Sequence, residues 1–187
     1  MRKFIKDRDT LGKTVDALKK QGKRIVLANG CFDMLHVGHI RYLYGAKREG
    51  DVLVVAVNSD KSMVRLGKPN RPVISEGERI EILDALEMID YLTLFDEPTV
   101  DSVILELKPH VHAKGTDYTK ENVPERETVL SYGGEIAIVG DEKRHSSTAI
   151  IEKIANSGRA KEESEGTTAD FTDYTDSGKR RRNIHHR

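Results

Sequence analysis

Six successive apolar residues, Val52-Leu53-Val54-Val55-Ala56-Val57, limit what this chain can fold into more than any other stretch. A strand with one wet face alternates apolar and polar positions, whereas an unbroken, mostly β-branched run is buried on both faces. Such a strand belongs inside a parallel sheet with helices above and below it. Similar apolar runs at about 24–29, 52–57, 90–94, 110–113 and 135–139 read as strands. The intervening segments at about 10–21, 37–48, 76–87, 98–107, 123–132 and 147–155 carry helical patterns. Thr10 and Ser75 are placed to cap two of these helices, and Pro124 suits a first helical turn. This alternation predicts an α/β fold around a five-stranded parallel sheet, with right-handed crossovers. Ligands of such sheets bind beyond the carboxyl ends of the strands.

At 187 residues the chain suits one domain with a sizeable core. Three stretches are expected: an N-terminal helix over 1–22, the main domain over 23–156 and a charged tail over 157–187. From Gly158 onward the only large apolar residues are Phe171, Tyr174 and Ile184, too few to offset the entropy of ordering, so the tail is expected to be disordered. Its basic end, Lys179-Arg180-Arg181-Arg182-Asn183-Ile184-His185-His186-Arg187, allows a weak electrostatic contact with RNA or another anionic partner. Otherwise the 31 basic and 31 acidic residues balance, and nothing else favours nucleic acid. No stretch approaches the ~18–20 apolar residues of a membrane span. The opening residues lack the apolar core of a signal peptide. A single cysteine excludes an internal disulfide and argues against a cysteine-built zinc site. A soluble, cytoplasmic protein is expected.

The run Ile25-Val26-Leu27-Ala28-Asn29-Gly30 leads through Cys31-Phe32-Asp33 into His36-Val37-Gly38-His39. A strand, a tight loop and a helix start point backbone N–H groups and a positive helix end at one place, which suits phosphate. Two imidazoles one turn apart share that place, and Gly38 lets a phosphate or a base approach the backbone. Three readings are open for His36 and His39: donors to a phosphate in its transition state, a pair of metal ligands, or ordinary packed histidines. No acidic or cysteine partner stands at ligand spacing nearby, whereas the preceding strand and the glycine between the histidines suit phosphate. Asp33 is expected to accept N–H bonds of its own loop, and Cys31 to be small and buried.

The string Asn29-Gly30-Cys31-Phe32-Asp33-Met34-Leu35-His36-Val37-Gly38-His39 closely resembles the G-x-F-D-x-x-H-x-G-H signature of the cytidylyltransferase-like nucleotidyltransferases. Further on, Ala56-Val57-Asn58-Ser59-Asp60, Arg65, Asn70-Arg71-Pro72-Val73, Glu78-Arg79 and Lys114-Gly115-Thr116-Asp117-Tyr118 resemble one branch. That branch is the adenylyltransferase domain of bacterial ADP-heptose synthases, and the resemblance covers about residues 23–155. It implies a Rossmann-like three-layer sandwich with the H-x-G-H nucleotidyltransferase fold, Mg²⁺ held through the triphosphate, and transfer of AMP from ATP to a sugar 1-phosphate such as heptose 1-phosphate, with release of pyrophosphate. It is also compatible with a homodimer, since relatives of this fold commonly dimerise.

By the same resemblance His36, His39 and Lys114 are the catalytic candidates. The nucleotide falls to Asn29, Gly30, Cys31, Phe32, Asp33, His36, Gly38, His39, Gly115, Asp117, Arg144, Ser146, Ser147 and Thr148. The acceptor falls to Asp60, Arg65, Arg71 and Arg79. Arg144 occupies a place where relatives usually have glycine, and Asp141-Glu142-Lys143-Arg144 replaces the R-T-E-G run of glycerol-phosphate cytidylyltransferases. Ser146, Ser147 and Thr148 suit either phosphate binding or simple helix capping. The loop with Arg65, Lys68 and Arg71 suits either a lid over the acceptor or an ordinary charged surface. His110 and His112 alternate with apolar residues and are expected to fill or flank the sheet. Class I aminoacyl-tRNA synthetases share the H-x-G-H idea, but this chain is too short for one, and Asp60-Lys61-Ser62-Met63 matches their second loop only superficially. Two rivals stand beside the adenylyltransferase: a CTP-dependent cytidylyltransferase acting on glycerol 3-phosphate or another polyol phosphate, and a nucleotide-binding module without catalysis.

Overall fold

The computed structural model describes residues 2–67, 71–141 and 146–165. Strands β1 (Ile25–Gly30), β2 (Val52–Asn58), β3 (Tyr91–Phe95), β4 (Val111–Gly115) and β5 (Glu135–Val139) form one sheet in the order β3-β2-β1-β4-β5. Every pairing is parallel, as expected of the apolar runs. Helices α1 (Arg8–Lys20), α2 (Val37–Arg48), α3 (Asp60–Arg65), α4 (Glu76–Asp84), α5 (Asp101–Leu107), α6 (Arg126–Leu130) and α7 (Ser147–Glu165) complete the described elements.

All of β2 is buried, and its alternate residues feed two cores. Leu53, Val55 and Val57 pack with Leu43 and Ala46 of α2 and Ile80 and Leu83 of α4. Val52, Val54 and Ala56 pack with Leu11 and Val15 of α1, Ile104 and Leu107 of α5, and Val129 of α6. Each such valine or leucine contributes about 1.5–3 kcal/mol on burial. A polar residue in place of any of these β2 valines or Leu53 forfeits that term and adds the cost of its own desolvation.

Several local expectations are corrected. Asp7, not Thr10, caps α1, its carboxylate accepting the Thr10 N–H at 3.1 Å. Ser75 does cap α4, in a reciprocal pair with Glu78. Pro124 precedes α6, which begins only at Arg126. Helix α3 stands where the sequence suggests a loop, nucleated by the Ser59 hydroxyl accepting the Ser62 N–H at 3.1 Å. The N-terminal segment adds a bridge beside β3: the Leu92 N–H donates to Lys3 O, and the Ile5 N–H donates to Leu92 O, both at 2.8 Å.

Residues 1–150 form one compact unit that contains α1, so the expected boundary near residue 22 falls inside it. The second unit, Ile151–Arg187, is helical to Glu165, beyond the point where the disordered tail was expected to start. The rest of that tail, with its basic end, lies outside the described residues.

From β1 the chain steps outward through β2 to β3, then returns to place β4 on the other side of β1. A crevice therefore opens between the carboxyl ends of β1 and β4. The register pairs Ala28 with Ala113, which sets Asn29 beside Lys114 at the rim. Helix α2 closes one wall: a Cβ on Gly45 would lie 2.9 Å from the Cβ of Val139, and Gly140, at φ +97°, passes within contact of the Tyr42 backbone.

Candidate active site

Beyond β1 the chain turns into α2 through Phe32 (φ 50°) and Met34 (φ 57°), two non-glycine residues in the left-handed region. Each costs on the order of 1 kcal/mol, and Asp33 between them supplies the compensation. Its buried carboxylate accepts the Val73 N–H (3.0 Å), the Ile74 N–H (3.0 Å) and a guanidinium N–H of Arg71 (2.6 Å). Burial alone would raise the Asp33 carboxyl, but Arg71 and the two backbone donors hold it below its usual range. Asp33 thus fixes the segment 71–74 rather than its own loop, which corrects the sequence expectation. Its carbonyl is tied from the other direction by the Ser147 hydroxyl at 2.6 Å.

Arg79 is fully buried and is also a strut. Its guanidinium donates to Ile74 O (3.2 Å), to Cys31 O and to the Asp60 carboxylate (2.8 Å). Two expected acceptor contacts, Asp60 and Arg79, are therefore spent on one another. Arg65 points elsewhere, donating to Asp96 O at 2.9 Å. Of the four residues expected at the acceptor, only Arg71 lines the cleft.

His36 caps α2, and its ring stacks on that of His39 with centroids 3.9 Å apart. The His36 backbone N–H donates to His39 Nδ1 at 3.3 Å, so the neutral ring of His39 carries its proton on Nε2. Burial, with the neighbouring His36 second, depresses the pKa of His39 to about 4. At neutral pH it is a donor without charge. Tyr42, one turn on, donates to Ala113 O at 2.8 Å and ties α2 to β4. Burial raises its hydroxyl pKa well above the usual value.

Lys114 approaches from the opposite side of the sheet. Its ammonium lies 3.3 Å from Asn29 Oδ1, 3.2 Å from the Glu125 carboxylate and 4.9 Å from the centroid of the Tyr118 ring. Glu125 in turn stands 3.6 Å from Nε2 of the buried His112. Burial alone would raise the Glu125 carboxyl, but His112 and Lys114 hold it at about 2. His112 is a core residue of β4, as expected, and the Nδ1 of His110 accepts the Ile25 N–H at 2.9 Å beside the sheet. Nothing in the sequence singled out Glu125; its partners become visible only once β4 fixes where residues 112 and 114 point.

His36, His39 and Lys114 border one cleft of about 410 Å³, within the range of small-molecule sites. Asn29, Gly30, Cys31, Phe32, Asp33, His36, Gly38, His39, Gly115, Asp117, Ser146, Ser147 and Thr148 all line it, together with Lys114. Arg144 lies outside the described residues. Cys31 is half-buried rather than fully enclosed. Ser146 caps α7 by accepting the Ala149 N–H at 3.1 Å while its residue still borders the cleft. Thr116 and Asp141 meet at the far end, where the Thr116 hydroxyl donates to Asp141 O at 2.5 Å and Arg41 pairs with the Asp141 carboxylate at 2.6 Å. Among the described residues, no three His, Cys, Asp or Glu side chains gather as a metal site would require. The metal-pair reading of His36 and His39 thus lacks a third ligand there.

A family model described as cytidylyltransferase-like matches residues 27–153. The chain belongs to the cytidylyltransferase-like family of nucleotidyltransferases. Proteins named bifunctional protein HldE from Pelobacter propionicus and Geobacter metallireducens are each 51% identical to it over 150 residues. Those alignments cover 80% of this chain and 31% of each relative, so the chain spans about a third of the length of the curated relatives it matches.

A lipopolysaccharide core biosynthesis protein from Thermoplasma volcanium GSS1 shares 31% identity and superposes with a TM-score of 0.57, over 65% of this chain and 100% of that one. A pantoate-beta-alanine ligase from Francisella tularensis, solved with beta-gamma ATP and beta-alanine, shows a likeness of fold alone. Its identity is 19% and its TM-score 0.50, over 84% of this chain and 77% of that one. In this cytidylyltransferase-like domain the H-x-G-H residues and Lys114 therefore border the same crevice from opposite faces of the sheet. No helix among the described residues is long and apolar enough to cross a membrane.

Proposed function

We propose that this domain is an adenylyltransferase that moves AMP from ATP onto the phosphate of a sugar 1-phosphate of the heptose 1-phosphate kind, releasing pyrophosphate in the cytoplasm. The observation that carries the reading is one cleft bordered by the stacked His36/His39 pair, with His39 neutral, on one side and the Lys114 ammonium on the other. The 51% identity to the HldE proteins supports the choice of nucleotide and acceptor.

A phosphate oxygen of the acceptor attacks the α-phosphorus of ATP, the bond from that phosphorus to the bridging oxygen breaks, and pyrophosphate leaves with the electron pair. The nucleophile is already an anion, so no residue has to remove a proton. That matches a His39 built as a donor and not as a base. Its Nε2–H, together with the N–H groups at the start of α2, meets the α-phosphate oxygens as their charge grows. Lys114 meets the phosphate chain from the other side. The first turn of α7, with Ser147 and Thr148, holds the outer phosphates. Arg71 borders the same space while holding the segment 71–74 to Asp33. Mg²⁺ held through the triphosphate, when bound, would offset charge on the departing pyrophosphate.

Pyrophosphate release in Mg²⁺, with ATP and CTP each crossed against heptose 1-phosphate and glycerol 3-phosphate, tests the reading. Release with ATP and the heptose alone is expected. Release with CTP and glycerol 3-phosphate moves the domain to the cytidylyltransferase reading with the same mechanism. ATP binding without release from any acceptor refutes the transfer reaction.

A further inference from the structure

Strand β4 sends His112 and Lys114, two residues apart, to the same face of the sheet, the face covered by α6. Glu125, at the start of α6, lies between them, 3.6 Å from His112 and 3.2 Å from Lys114. All three are buried, among apolar neighbours that include Leu27 and Val129. Burying an ammonium and a carboxylate costs more than their attraction reliably returns, and apolar side chains of similar volume would fill the space at least as well. Stability of the fold therefore does not explain the trio. Position does: Lys114 lines the cleft and Glu125 does not.

We infer that Glu125 is a positioning residue for Lys114, its carboxylate holding the ammonium at the crevice between β1 and β4, where the phosphate chain of ATP meets it. His112 closes the other side of the carboxylate and limits the rotamers open to Glu125. Asn29 and the Tyr118 ring complete the seat around the ammonium. A lysine side chain free in solvent samples many rotamers, and one already held loses little freedom when an anion arrives. His112 and Lys114 hold the Glu125 carboxyl well below its usual range, which keeps it ionised at neutral pH. The inference rests on the nucleotide-binding reading above, and it adds a residue that acts only through Lys114.

A double-mutant cycle tests it. Wild type, Glu125→Gln, Lys114→Met and the double variant are titrated with ATP by calorimetry, with thermal unfolding recorded alongside to show that each is folded. Glu125→Gln keeps the shape and loses the charge, and it is expected to weaken ATP about tenfold, the size of one charge-assisted hydrogen bond. The double variant is expected to bind ATP within about twofold of Lys114→Met alone, because Glu125 has nothing left to position. Glu125→Asp restores part of the affinity, and it carries the cycle if the glutamine variant does not fold. Losses that add in the double variant, or a Glu125→Gln protein that binds ATP as wild type does, overturn the inference. A wild type that binds no ATP overturns the nucleotide reading instead, and one that binds ATP but releases no pyrophosphate overturns only the proposed transfer.

Discussion

Replacing His39 by asparagine separates the titration of the buried ring from its shape. Asparagine Oδ1 is able to take the place of Nδ1 and accept the His36 N–H, which lies at 3.3 Å in the wild type, but it has no proton to gain. In the folded wild type, burial first and His36 second hold His39 at about 4, against 6.5 for an unperturbed histidine. Between those values the unfolded chain binds more protons than the folded one. Stability is therefore complete above 6.5 and falls as the pH drops toward 4. Integrating the two titrations from pH 7 to pH 5 gives a loss of about 2 kcal/mol, reduced to about 1 kcal/mol because solvent reaches part of the ring. Urea unfolding of both proteins at the two pH values measures it. At the typical urea sensitivity of a domain this size, about 2 kcal/mol per molar, the wild-type midpoint should fall by about 0.5 M more than that of the variant. His110 and His112 titrate in both proteins and cancel. Equal losses in the two proteins would refute a desolvated, neutral imidazole at position 39.

Other perturbations give different signatures. His36→Ala or His39→Ala should lower turnover by at least ~10²-fold, as expected for loss of a transition-state donor, with an unchanged circular dichroism spectrum; near-normal pyrophosphate release removes that role. Arg79→Met strands three acceptors around a buried strut and should cost about 2–4 kcal/mol of stability by chemical denaturation, whereas a loss under ~0.5 kcal/mol would show that the strut carries little. Arg65→Ala should leave stability within about 0.5 kcal/mol and the KM of the acceptor within about twofold, because Arg65 binds only the rim of the neighbouring loop; a large rise in KM would return it to the acceptor site.

The inner strands were legible because burial on both faces leaves a short, mostly β-branched apolar run, and the seven buried residues of β2 are its clearest case. The turn from β1 into α2 was legible because G-x-F-D-x-x-H-x-G-H is a long and specific string, and its residues do line the cleft. Shorter elements were not legible. Helix α3 has only six residues and no room for a periodic pattern, and its cap at Ser59 reads equally well as a turn. Arg79 and Arg65 were grouped together as acceptor contacts, yet one is an internal strut and the other binds a distant carbonyl. A helical pattern says which face an arginine is on, not which acceptors wait there. Glu125 left no trace at all, since a carboxylate at a helix start is ordinary and its meaning comes from β4.

The short bridge at Phe4 bears on self-association. Sheet edges present unpaired N–H and C=O groups to any strand that drifts past, and β3, with the sequence Tyr91-Leu92-Thr93-Leu94-Phe95, is apolar enough to be adhesive. Lys3 and Ile5 take up both backbone groups of Leu92, so a second chain would have to peel this segment away before it could dock along that stretch. The Asp84 carboxylate, which accepts the Lys3 N–H at 2.9 Å, fastens the segment from the other side. Loosening those few residues would leave the cleft on the far strands intact while baring a seam prone to aggregation.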